Sequence, residues 1–327
     1  MSTPNVENYV LGRGSLYYSP WNETTLQYEA ERHLGNSPEV SFQASVDRLD
    51  HFSSMSGIKA KDKTAVQQAS PKLSFTLEEF VAENWKLLAY GTDVAVSQAA
   101  SGEISVPVVA PVLGRYYDLG KYQIQTRRIA HGTVTGGPFQ VGETITGGTS
   151  TATAKILKVE SGQLIVAVLT GTFAASETIT GGTSNASATS SSLATAVSGL
   201  VVCKSTSGNT YYAPTTDFIV NARTGQVLIT PESNIDEDVT FIFGCAALNY
   251  TKIQGLTSLS ATGKLRFVSD NPEGKNYIFE AWKCQVAPNG DTGFISSEWG
   301  SMKFEADILR DATYHPDSPY FDIDSFE

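Results

Sequence analysis

Glu143-Thr-Ile-Thr-Gly-Gly-Thr-Ser150 recurs, residue for residue, as Glu177-Thr-Ile-Thr-Gly-Gly-Thr-Ser184. The two blocks sit in longer repeats, 139–154 and 173–188, each opening on a phenylalanine and offset by 34 residues. A 34-residue period is also that of helical tetratricopeptide arrays, but these residues forbid a helix. Thr, Gly and β-branched side chains dominate, and no apolar stripe at helical spacing appears. Between the copies, 155–159 and 164–169 read as two strands around Glu160-Ser-Gly-Gln163, with Gly162 where a hairpin needs positive φ. Two such units are expected to form a small β-sandwich or barrel.

Working outward, composition marks off the same region. Segment 132–198 holds only Glu143, Lys155, Lys158, Glu160 and Glu177 as charges, five of the 57 in the 327-residue chain. It is read as an inserted all-β module. The flanks, 1–131 and 199–327, are read as one discontinuous domain. Lys plus Arg number 23 and Asp plus Glu 34, a net charge of −11. That balance opposes a tight grip on nucleic acid, which needs clustered cations.

Period-two alternation fills the flanks. Val40, Phe42, Ala44 and Val46 alternate with polar residues; so do Leu73, Phe75 and Leu77, Val239, Phe241 and Phe243, and Met302, Phe304, Ala306 and Ile308. One helix is expected, over 77–90. Thr76 and Glu79 match a capping box, Leu77, Val81, Trp85 and Leu88 form one apolar stripe, and Gly91 suits the close. The chain is therefore expected to be mainly β with one flanking helix. Residues 53–71 carry no periodicity and read as a long polar loop. With Lys59, Lys61, Lys63 and Lys72 against Asp62, the stretch 57–72 has a net charge of +3. Segment 311–327, with five acidic residues and no Lys or Arg, reads as a tail.

Constellations for chemistry are missing. Cys203, Cys245 and Cys284 lie 42 and 39 residues apart, without zinc-type spacing. His33, His51, His131 and His315 are scattered, and no nucleophile elbow occurs. Glu78-Glu79, Asp236-Glu-Asp238 and Asp322 with Asp324 could serve a glycosidase or a calcium site, but helix-dipole, turn and tail readings are simpler. Tyr17, Tyr18 and Trp21 could stack a sugar or base. Neither a catalytic residue, a cofactor nor a metal is expected. The first 13 residues carry no apolar run, so no export signal is expected. Without one, the sequons at Asn22, Asn185 and Asn249 read as chance, and the setting as reducing cytosol or a particle assembled there.

Leu34-Gly-Asn-Ser-Pro-Glu-Val-Ser-Phe42, Asp47-Arg-Leu-Asp-His-Phe-Ser53, Leu73-Ser-Phe-Thr-Leu-Glu-Glu-Phe80 and Glu83-Asn-Trp-Lys-Leu-Leu-Ala-Tyr-Gly91 together resemble the major tail tube proteins of long-tailed bacteriophages. The hairpin-like run from Tyr212 to Ile229 adds to the likeness, which covers about 1–131 and 199–327. The Gly/Thr-rich module interrupts the simplest form of that pattern. The resemblance implies a tail-tube-like β-sandwich with a flanking helix. It implies six copies in a ring, and rings stacked into a tube through the 53–71 loop with Lys59, Lys61 and Lys63. The tube would pass DNA without binding it specifically. Partners would be other copies, the tape measure, the tail tip and the terminator, with no membrane. The place would be the virion tail, assembled in the host cytoplasm. Rival readings are a surface adhesin or carbohydrate-binding module, on the Thr/Gly repeats, and a carbohydrate-active enzyme, on the acidic pairs.

Overall fold

The computed structural model describes residues 8–55, 57–191, 194–208 and 210–326. Among these the fold is mainly β, in several sheets, with one α-helix, Ala82–Ala89. Compactness divides the chain at other places than composition does. One unit comprises 1–94 with 251–327, and the other comprises 95–250.

The first unit is built on a nine-stranded sheet. Strands Gly14–Asn22, Ala261–Ser269, Tyr277–Pro288, Met302–Ile308, Lys72–Leu77 and Glu39–Gln43 follow one another in antiparallel order. At Leu73–Leu77 and Met302–Ile308 the alternation read in the sequence is the alternation of burial, whereas Phe42 and Val46, in the run 40–46, are 38% and 44% exposed. Leu73, Phe75 and Leu77 turn inward with Met302, Phe304, Ala306 and Ile308, and they meet Leu16, Leu265 and Val286 in one core. Segment 311–327 is not a free tail. Strand Phe321–Ser325 pairs with Tyr277–Pro288, and Asp322 lies opposite Glu280. Phe321 explains the docking, since its ring contacts Phe42 and Phe279 at 4.8 and 5.3 Å between centroids.

The helix begins later than expected. Leu77 ends a strand, and Val81 is the N-cap without a side-chain hydrogen bond. The strand's demand for inward Leu73, Phe75 and Leu77 overrides the capping-box pattern at Thr76 and Glu79. The left-handed residue at the helix end is Tyr90 (φ 46°), not Gly91.

Among the described residues, three sheets lie wholly within the second unit. Strands Tyr211–Tyr212, Val202–Ser205, Val239–Cys245 and Ser101–Val108 form one, and Tyr116–Asp118, Gln226–Ile229 and Phe218–Asn221 another. Phe218, Phe241, Phe243, Val227 and Ile229 share their core. The third, seven-stranded sheet contains the repeats: Ser187–Thr189, Thr178–Gly181, Thr144–Gly147, Thr153–Glu160, Gln163–Thr170, Gln125–Ala130 and Thr195–Ser198. The expected hairpin is present, and Gly162 has φ 70°. Bridges His131–Ser190 and Thr135–Ser187 tie the chain after Gln125–Ala130 back to the far edge. The sheet thereby wraps around Phe139, Ile145, Ile156, Phe173 and Ile179.

Two details differ from an independent insert. Gln125–Ala130 belongs to the repeat sheet, where Gln125 faces Ser198, so the structural boundary lies near 124/199 rather than 131/199. Strand Gln163–Thr170 is also buried on both faces. Leu164 and Val166 enter the repeat core, while Ile165 and Ala167, with Leu157, cover Leu200, Val202 and Ile242.

Candidate assembly surface

The segment read as a long loop, 53–71, holds the turn and second strand of a β-hairpin. Strands Val46–Ser53 and Ala60–Ala69 pair antiparallel, with register shifts at 47/48 and 51/52. Seventeen of the 18 strand residues are exposed, which is why no alternation marks the sequence: neither face is covered. The exposed side chains include Leu49 (57%), Phe52 (50%) and Val66 (64%), with Met55 (97%) at the turn. A two-stranded ribbon with both faces in solvent is marginal alone, and its unpaired edges invite further strands.

The charges on this arm are largely answered within it. Its cations are Arg48, Lys59, Lys61 and Lys63 and its carboxylates Asp47, Asp50 and Asp62, a net of +1. Lys61 Nζ lies 2.7 Å from Asp50 Oδ1, and Thr64 Oγ1 donates to the same oxygen at 2.9 Å. The bonds from Lys61 and Thr64 hold the Asp50 carboxyl below its ordinary range. His51 Nδ1 lies 2.5 Å from Asp62 Oδ1. Lys72, counted in the net charge of +3, lies outside the arm and pairs with Glu305 at 2.6 Å. Of the three lysines expected to face a neighbour, Lys61 has a partner in its own hairpin. Lys59 and Lys63 have none among the described residues.

The helix stripe is split. Leu77 is fully buried, as a strand residue, and Val81 is 41% exposed. Leu88 packs against the core from a half-buried position. Trp85 stays half-buried and stacks on Phe294, with centroids 6.0 Å apart and planes at 9°, and its ring meets Phe80 at 5.4 Å. The inward residues are Leu87 and Asn84, which the stripe did not include. Asn84 Nδ2 donates to the Leu34 and Glu79 carbonyls at 3.0 and 2.9 Å, and its Oδ1 accepts from Arg32 Nη1 at 2.9 Å. These three bonds satisfy the amide, as its full burial demands. Around this face Phe80, Phe294, Ile295 and Trp299 are exposed by 37%, 83%, 99% and 93%.

The other sequence candidates are structural. Tyr18 is in the core with its hydroxyl donating to Thr262 O, while Tyr17 meets His33 and Trp21 meets Tyr28 edge-on. The aromatic trio therefore does not form one stacking platform. Glu78 and Glu79 precede the helix, and Glu79 accepts the Asn36 N–H. Burial pushes the thiols of Cys203 and Cys284 up to about 12, so neither is a thiolate near neutrality. Among the described residues no three His, Cys, Asp or Glu side chains are placed to share a metal ion.

A family model matches residues 9–138 and again 121–324. The chain belongs to that family, described as protein of unknown function UCP028589. Its match includes the arm, the helix and the repeat sheet together, and segment 132–198 falls within the second matched stretch. The comparison with curated proteins found no match.

Proposed function

We propose that the chain is a self-assembling structural subunit of the tail tube type, closing into hexameric rings that stack into a DNA conduit. The observation carrying this is the arm. A chain that buries three extensive cores leaves Leu49, Phe52 and Val66 on a ribbon with no cover. Such a surface is satisfied by a neighbouring copy. The arm's first strand also falls on Asp47–Ser53, one of the stretches that resemble tail tube proteins. A net charge of −11 suits a lumen through which DNA slides rather than sticks.

The test is electron microscopy and sedimentation of purified protein, alone and with tail-tip proteins. Rings or tubes are expected. A monomer under every condition defeats the reading. In the tube, the other copies, tape measure, tail tip and terminator are the partners, and the virion tail is the place. An adhesin or carbohydrate-binding module is the second reading, favoured by a cleft lined by Lys204, Tyr211 and Thr240.

A further inference from the structure

The four-stranded sheet of the second unit has one face in a core and one face shared. On the shared face, Val202 and Ile242 meet Leu157 and Ile165 of the repeat sheet. Two residues further along the same strands stand Lys204 and Thr240, with Tyr211 beside Lys204 in register. Here the backbones of the two sheets diverge, and a cleft of about 800 Å3 opens between them. That size suits a small organic ligand.

The charges around the cleft are uneven. Lys155 reaches across it to both oxygens of Glu103, at 2.8 and 3.0 Å. Lys158 pairs with Glu160 at 3.0 Å and places its ammonium 5.7 Å from the Tyr211 ring centroid. Lys204 is half-buried and has no anionic partner among the described residues. The lining therefore has a net charge of +1, from Lys155, Lys204 and Glu103, in a chain of net −11. An ammonium with no counter-charge beside it gains from any anion that can reach it. Beside it are groups that read hydroxyls. Thr240 and Thr206 share a hydrogen bond at 2.9 Å that either can donate, and the Gln140 amide lies on the opposite wall. Tyr211 adds an aromatic wall carrying its own hydroxyl.

We infer that this cleft binds an acidic sugar, with the carboxylate on Lys204, the ring beside Tyr211 and the hydroxyls on Thr240 and Gln140. A neutral sugar leaves Lys204 unanswered. A bare anion leaves the aromatic wall and the hydroxyl readers unused. The inference is independent of the tube reading, because the whole site lies within residues 103–242 of one chain.

The test is isothermal titration of the full chain with trigalacturonate, galactotriose and inorganic phosphate. Trigalacturonate is expected to bind at least about tenfold more tightly than either of the others, the scale of one charge-assisted contact. Lys204→Gln should weaken it about tenfold and Lys204→Arg should retain it. Tyr211→Leu, which leaves every charge in place, should also weaken it several-fold. Thermal melts check that each variant is folded, and Tyr211→Leu decides the matter if Lys204→Gln is not. The inference is overturned by galactotriose binding as tightly as trigalacturonate, by phosphate matching it, by undiminished binding in a folded Lys204→Gln or Tyr211→Leu, or by no binding at millimolar sugar.

Discussion

Glu177 receives both the backbone N–H and the hydroxyl of Ser150, each at 2.9 Å, across the boundary between the two repeats. Glu143 returns the contact, accepting the Ser184 N–H at 2.9 Å and its hydroxyl at 2.8 Å. Each carboxylate also takes a donor from its own repeat, Ala174 N–H at 2.6 Å for Glu177 and Gln140 N–H at 2.7 Å for Glu143. The strands between them, Thr144–Gly147 and Thr178–Gly181, pair antiparallel about Thr146 and Thr180. The repeats are thus related by a local two-fold, and each Glu holds the other's Gly-Gly-Thr-Ser turn. Glycine suits positions 147 and 181, because a Cβ at either would run into the serine of its own turn and the carboxylate that the other repeat sends to it.

Removing one carboxylate should strand several partly buried donors at once. Glu177→Ala leaves the N–H groups of Ala174, Thr149 and Ser150 without an acceptor, at a cost of about 2–4 kcal/mol. Glu143→Ala should cost a similar amount by symmetry. Urea melts of the two single variants check this, and a loss under about 0.5 kcal/mol in both would show that the turns hold themselves.

The same pair sets a pH dependence. Burial pushes both carboxyls up, but the bonds from Ser184, Gln140 and Thr183, and from Ser150, Ala174 and Thr149, outweigh it, and both lie below the ordinary glutamate value. A depressed folded-state pKa gives stability that is present above the unfolded value of about 4.3 and lost as pH falls through the folded one. The gap in stability between wild type and Glu143→Gln/Glu177→Gln should therefore be constant near neutrality and shrink below about pH 4. A gap that is flat to pH 2.5 would refute it.

On the arm, apolar and charged positions should separate assembly from folding. Leu49→Ser with Phe52→Ser should leave the melting temperature unchanged, because both side chains are half or more exposed, and should abolish tubes. Lys59→Glu with Lys63→Glu should weaken stacking in a salt-dependent way. Lys61→Glu acts differently, since it sets a second carboxylate against Asp50 within the hairpin. Normal tubes from the Leu49/Phe52 variant would exclude the arm as the contact.

The helix offers a sharper contrast. Asn84→Ala should cost about 2–4 kcal/mol, because the Leu34 and Glu79 carbonyls and Arg32 lose a buried partner together. Trp85→Ala should cost only about 1–2 kcal/mol, the worth of two ring contacts at a half-buried site. A melt in which the tryptophan dominates would reverse the assigned inward face.

What could be read from the sequence follows from how far each signal reaches. Leu73, Phe75 and Leu77 declare a strand because burial alternates on one face, and Gly162 declares its turn locally. Leu77 fits a period of two and also one of 3.6, so the sequence alone places the helix start too early. The arm has no covered face and hence no pattern. The bonds of Glu143 and Glu177 to the other repeat span 27 to 41 residues. Their only trace was an acid at the same place in two nearly charge-free repeats. The Lys204 cleft depends on sheet packing and left no trace.

The repeat sheet should prove hard to excise. Composition puts its boundaries at 132 and 198, but the chain comes together where Gly199 N–H donates to Ile124 O at 2.9 Å. A bridge from 131 to 199 would leave strand Gln125–Ala130 without Thr195–Ser198 and Gln163–Thr170. A two-residue Gly-Ser bridge from 124 to 199 is the geometrically sound deletion. Even this strips Leu157, Ile165 and Ala167 from Leu200, Val202 and Ile242. Exposing three aliphatic side chains costs about 1.5–3 kcal/mol each, together comparable to the stability of a domain. The loss of Thr126, whose hydroxyl donates to Leu200 O at 2.7 Å and accepts the Gly244 N–H at 3.1 Å, adds to it. Deletion of 125–198 alone should therefore give aggregated protein. The same deletion with Leu200→Thr, Val202→Thr and Ile242→Thr should recover solubility, because those positions become the solvent face of an antiparallel sheet. Circular dichroism and size-exclusion chromatography of the pair decide it. A simple deletion that melts like the full chain would mean that the repeat sheet contributes nothing to the fold around it.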